Sequence, residues 1–116
     1  MKNSITETPK WASFDIGEIY DRLKSSNRRY ESFIDVPALK TGMYILPAGG
    51  EDNQNPHELD EVYYIVSGRG KFVSEGQKLD VKPGTILYVK AKTSHRFEDI
   101  EQELKIIIFF SEAKSK

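Results

Sequence analysis

The period of the hydrophobic residues changes once along this chain. Between Ser13 and Ser26, Ile16, Ile19, Tyr20 and Leu23 recur at i, i+3, i+4 and i+7, the stripe of an amphipathic helix. Asp15, followed three residues later by Glu18, fits a capping box at its start, and Ser25, Ser26 and Asn27 end it. Gly17 in the first turn costs about 1 kcal/mol relative to alanine, too little to outweigh the stripe. After Asn27 the helical period does not return. Short runs rich in Val, Ile, Tyr and Phe alternate with Gly, Pro, Asp and Ser, the pattern of strands joined by turns. The runs fall at Arg29 to Phe33, Lys40 to Leu46, Glu61 to Ser67, Gly70 to Glu75, Gln77 to Val81, Thr85 to Val89, His95 to Asp99 and Leu104 to Phe110. About eight strands in so short a stretch predict an all-β sandwich or barrel.

Turn chemistry punctuates these runs. Ser67-Gly68-Arg69-Gly70 and Glu75-Gly76-Gln77 read as hairpin turns, and Lys82-Pro83-Gly84 as a further turn. Gly49-Gly50 lacks the following lysine and helix of a phosphate cradle and also reads as a turn. The last run, Leu104 to Phe110, is apolar on both alternating faces and is expected to be covered on both, either by a second subunit or by the N-terminal helix. The chain thus divides into a polar, mobile arm over residues 1–12, one domain over 13–110, and a polar tail over 111–116.

Composition removes several classes. With 116 residues the chain fits one domain, and its 17 Lys+Arg against 18 Asp+Glu leave a formal charge of −1. A nucleic-acid binder needs a clustered basic excess, which is absent. Zero cysteines exclude disulfide scaffolds, thiolate catalysis and zinc fingers. The first ten residues hold no apolar run suited to a signal peptide, and no apolar stretch approaches the length of a membrane span. The expectation is a cytoplasmic protein that binds neither nucleic acid nor membrane.

Only two histidines are present, His57 and His95, and each lies beside a strand. His57 precedes Glu61 by four residues, an even spacing that puts both side chains on one face of an extended segment. Glu61 opens the aromatic strand Val62-Tyr63-Tyr64-Ile65-Val66, where an inward carboxylate is costly without a cation. A divalent metal would remove that cost, and two imidazoles with a carboxylate suit Fe, Mn, Ni or Zn. The alternative is a rim glutamate paired with Lys or Arg, worth about 0–1 kcal/mol.

The stretch from Pro56 to Gly70 resembles the first motif of the cupin family, with Gly68 following Glu61 after six residues. Pro83-Gly84 through Thr85-Ile86-Leu87-Tyr88-Val89 to His95-Arg96-Phe97 resembles the second motif, and the whole resemblance covers about residues 42–110. It implies a cupin jelly-roll β-barrel, here with a short N-terminal helix, holding one divalent transition metal on His57, Glu61 and His95. The usual first histidine of a His-x-His pair falls at Asn55. A subgroup pattern matched by Asp52, Gln54, Pro56, His57, Asp60 and Glu61 makes Gln54 the expected substitute ligand. Pro56 breaks strict alternation in this loop, and Gln54 has the longer reach.

Asn55 and, by strand parity, Tyr63, Ile65 and Phe97 are expected to line the cavity around the metal; plain barrel core is the other reading of the last three. Lys90 and Lys92 read as solvated edge lysines. The resemblance implies a small organic ligand or substrate, with oxygenase, isomerase or lyase chemistry. The alternative is a binding or sensing module without turnover. Small cupins commonly pair, so a homodimer is expected.

Overall fold

Two long, bent strands carry the architecture. The computed structural model describes residues 4–7, 9–53 and 55–111. Its elements are α1 (Ile16–Ser25), β1 (Tyr30–Val36), β2 (Leu39–Leu46), β3 (Glu61–Ser74), β4 (Gln77–Val81), β5 (Ile86–Val89) and β6 (His95–Phe110). β3 and β6 pair antiparallel from Glu61↔Phe110 to Ser74↔His95, with register shifts between Ile65 and Lys71. β5 pairs with the first half of β3 and β4 with its second half. The second half of β6 pairs with β2, and β2 with β1. The result is the expected all-β jelly-roll barrel with one short helix.

The hairpin expected at Ser67-Gly68-Arg69-Gly70 does not form. The two predicted strands on either side of it are one continuous strand, β3, and the predicted strands His95 to Asp99 and Leu104 to Phe110 are likewise one, β6. The reason is a close approach of two backbones. A Cβ on Gly68 would lie 2.1 Å from the Glu103 carbonyl oxygen, and Gly68 adopts φ +101°. Glycine there lets β3 bend against β6 through bulges without reversing direction. The turn at Glu75-Gly76 does form, joining β3 to β4, as does the turn at Lys82-Pro83-Gly84.

α1 starts where the sequence placed its cap: the Asp15 carboxylate accepts from the Glu18 backbone N–H at 3.1 Å. Asn27, with φ 57°, closes it, and the Arg28 N–H returns to the Leu23 carbonyl at 2.9 Å. Ten residues make a marginal helix in isolation, so its stability comes from packing. Ile19 and Leu23 bury themselves against Phe33, Met43, Ile45 and Ile107 on the outer face of the barrel. Ile107 is therefore covered by the chain's own helix, whereas Phe109 remains 41% exposed. Ile5, from the N-terminal segment, adds a parallel bridge to Ile34. Among the described residues no helix is long and apolar enough to cross a membrane.

Candidate metal centre

Strand parity turns Glu61, Tyr63 and Ile65 into the barrel. They are 1%, 0% and 0% exposed, while Tyr64 between them is 40% exposed. β6 delivers His95 from the other end of the β3–β6 ladder, opposite Ser74. On a flat ribbon at about 3.3 Å per residue, that partner of Ser74 would sit roughly 40 Å from Glu61. The bends instead bring the His95 Nε2 to 3.9 Å from the Glu61 Oε1.

His57 arrives on the loop before β3. Its carbonyl accepts from the Lys92 N–H at 2.7 Å, and its ring stands edge-on to Phe110 at 5.2 Å. Two acids fasten this loop. Asp52 is buried and accepts from the Phe97 N–H at 2.9 Å and from the Tyr44 hydroxyl at 2.8 Å. Asp60 accepts from the Ala91 N–H at 2.8 Å. Burial, reinforced by the Asp52 carboxylate, holds the Tyr44 phenol far above its ordinary range, so it stays a donor.

Hydrogen bonds orient the groups around the carboxylate. The His95 Nδ1–H donates to the Thr93 carbonyl at 2.8 Å, which leaves the lone pair on Nε2, where the Tyr63 hydroxyl donates at 2.8 Å. The His57 Nδ1–H donates to the Glu61 Oε2. The Glu61 Oε1 is buried and has no hydrogen-bond partner. A buried carboxylate oxygen is rarely left so. One donor atom from each of His57, Glu61 and His95 lies within 4.8 Å of the others. Two imidazoles and an incompletely satisfied carboxylate at this spacing fit a divalent transition metal.

The remaining expected site residues divide. Tyr63 meets the centre directly through His95 and shares the barrel core with Ile65 and Phe97; Phe97 stands edge-on to the Tyr63 ring at 5.3 Å and gives its backbone N–H to Asp52. Asn55 is exposed and is not among the residues lining the cavity beside His57. It lies in an irregular loop next to Pro56, where the two-residue period of a strand has no force. Gln54 lies outside the described residues. Residues missed in the sequence are Tyr30, Lys40 and Tyr44, inward positions of β1 and β2 that line a cavity of about 530 Å³ beside His57. Their only signal was parity with the Gly42 face of β2, too weak to single them out.

Residues 42–110 match the family model described as the cupin domain. An uncharacterized protein of Streptomyces coelicolor is 32% identical over 103 residues, covering 89% of this chain and 98% of its own length. An uncharacterized protein of Methanocaldococcus jannaschii is 37% identical over 57 residues, 48% of this chain and 46% of the relative. Among solved structures, the DMSP lyase DddQ from Ruegeria pomeroyi aligns with a TM-score of 0.65 at 17% identity, over 79% of this chain and 51% of its own. KdgF from Halomonas sp. aligns with a TM-score of 0.65 at 23% identity, over 73% of this chain and 80% of its own. These two likenesses show the fold. With the family match spanning more than half of the chain, and with the barrel, the bent β3–β6 pair and the converging His57, Glu61 and His95 in place, the protein belongs to the cupin family.

Proposed function

We propose that this cupin holds one divalent transition metal on His57, Glu61 and His95 and presents it to a small organic molecule entering the cavity beside His57. The observation that carries the reading is the buried Glu61 Oε1, which lacks a hydrogen-bond partner and lies 3.9 Å from the His95 Nε2. When bound, an ion of the Fe, Mn, Ni or Zn group supplies Lewis-acid polarisation or redox chemistry, the basis for oxygenase, isomerase or lyase activity. The chain's own part is positional. Thr93 holds His95 in the tautomer that offers Nε2, the Lys92 N–H holds the His57 backbone, and Tyr63 keeps a hydroxyl at the centre. Gln54 is proposed as a further ligand through its amide oxygen. Metal titration of Gln54→Ala and Asn55→Ala tests this: loss of affinity in the Asn55 variant alone overturns it.

The test of the main reading is metal analysis of the purified protein. One equivalent of metal is expected in the wild type and none in the His57→Ala, His95→Ala double variant; stoichiometric metal in the double variant overturns the assignment. Binding is also expected to weaken on acidification, because a protonated imidazole cannot ligate. The second reading, ligand retention without turnover, is separated from catalysis by following product formation in the metal-loaded protein.

A homodimer is proposed on the outer face. Tyr64, Ile86, Tyr88 and Phe109 are 40%, 66%, 65% and 41% exposed and adjoin through the β3–β5 and β3–β6 ladders. Cytoplasmic residence, proposed from the absence of cysteine, completes the reading.

A further inference from the structure

The cavity beside His57 has apolar walls, made by Leu59, Ile108, Phe110 and the Tyr44 ring, and cations at its rim. Arg29 and Lys40 both line it, and neither forms an ion pair with a carboxylate among the described residues. Arg29 gives one N–H to the Glu51 carbonyl at 2.9 Å, and the Lys40 ammonium lies 5.8 Å from the Phe110 ring centroid. Acids nearby do not neutralise them. Glu58, the carboxylate lining the same cavity, lies 3.7 Å from the Lys92 ammonium. Asp35 stands opposite Lys40 in the β1–β2 ladder without pairing to it. In a chain of formal charge −1, two unneutralised cations facing one apolar cavity are a local excess.

A third feature points inward. The Tyr30 hydroxyl is buried and makes no hydrogen bond. Ser32 lies near enough to influence it without meeting hydrogen-bond geometry. A Cβ on Gly42 would come within 2.3 Å of that hydroxyl oxygen, so only glycine at 42 lets the phenol lie where it does. The neighbouring Tyr44 hydroxyl already donates to Asp52, which leaves Tyr30 as the uncommitted phenol of the pair. A buried donor without an acceptor in a cavity with cationic rims is an arrangement that a bound oxyanion completes.

We propose that the cavity binds a small monocarboxylate with an apolar body, its charge met by Lys40 and Arg29 and one oxygen accepting from the Tyr30 hydroxyl. The proposal rests on the reading that this cavity serves a small molecule, and adds its charge class. A guanidinium and an ammonium together favour a carboxylate over its neutral isostere, while the aliphatic and aromatic walls select the apolar body.

Calorimetric titration of the full chain with benzoate and with benzamide, in metal-stripped and zinc-loaded samples, tests it. Benzamide keeps the ring and a carbonyl acceptor but lacks the charge. Benzoate is expected to bind at least tenfold tighter. The Arg29→Met, Lys40→Met double variant should lose that preference while keeping benzamide affinity, and Tyr30→Phe should weaken both probes by similar factors. Lys82→Met, on an exposed turn, should change neither. Equal binding of the two probes, absence of binding, or a preference that survives in the double variant overturns the inference. Zinc content measured on the same samples keeps the readings apart. A wild type that binds zinc without preferring benzoate overturns the anion site alone. One that prefers benzoate without binding zinc overturns the metal centre alone.

Discussion

The two faces of the β3–β6 wall are incomplete in different ways. On the inner face Glu61, Tyr63 and Ile65 of β3 are buried, yet the Glu61 Oε1 has no partner. On the outer face the apolar side chains are only partly covered: α1 seals Ile107, Met43 and Ile45, while Tyr64, Ile86, Tyr88 and Phe109 stay open. An unsatisfied charge and an uncovered apolar patch call for different partners. The first asks for a cation or a hydrogen-bond donor and is met at a few atoms; the second asks for area and is met by another protein surface.

The sharpest way to break this contrast is Glu61→Met. Loss of stoichiometric metal is expected, with affinity down more than about 100-fold. The metal-free protein should keep or gain thermal stability, because a buried carboxylate with an unpaired oxygen is replaced by an apolar side chain of similar volume. A metal-free variant that unfolds more readily would make the inner face structural. The opposite pattern is expected of Leu23→Ala on the outer face, where a fully buried side chain packs α1 onto the barrel. Denaturant unfolding should show a loss of about 3 kcal/mol with metal content unchanged. Tyr63→Phe sits between the two: it removes the donor to His95 but little volume, and should shift metal affinity by about tenfold with a small effect on folding.

Charging the open patch with Ile86→Lys and Tyr88→Lys should alter stability by less than about 0.5 kcal/mol, since both are exposed, yet convert a dimer to monomers. Light scattering decides it: a wild type already at 13.3 kDa rules the dimer out. The smallest effect is electrostatic. Burial works to raise the Glu31 carboxyl, but hydrogen bonds from Arg22 and Arg28 outweigh it and hold it below its ordinary value of 4.5. A group depressed on folding stabilises above its unfolded value and stops doing so as pH falls through the folded one. The roughly 1 kcal/mol or less by which wild type exceeds Glu31→Gln at pH 7 should therefore shrink as pH falls below 4.5 and vanish once the folded-state value is passed. Paired urea titrations from pH 7 down through the acid range measure it.

Much of this was readable along the chain because it is local. The Asp15 cap, the Ile16-Ile19-Tyr20-Leu23 stripe and the alternation that buries Glu61, Tyr63 and Ile65 depend on neighbours within one turn or one strand. His57, Glu61 and His95 stood out because histidine is scarce here and their spacing resembles a family pattern. The failures are non-local. Gly68 was read as a turn because glycine signals freedom of φ, and nothing in the local sequence shows that the Glu103 backbone would press against it.

What the sequence determined, then, is which residues can donate to a metal and which strand faces they occupy, since both follow from side-chain chemistry and the two-residue period. What only the tertiary structure decided is their meeting. His95 pairs with Ser74 at the far end of β3, and it reaches Glu61 because bulges bend both strands until the ladder closes on itself. Curvature is a sum of small twists and close approaches over many residues, so it is written in no single stretch of the chain.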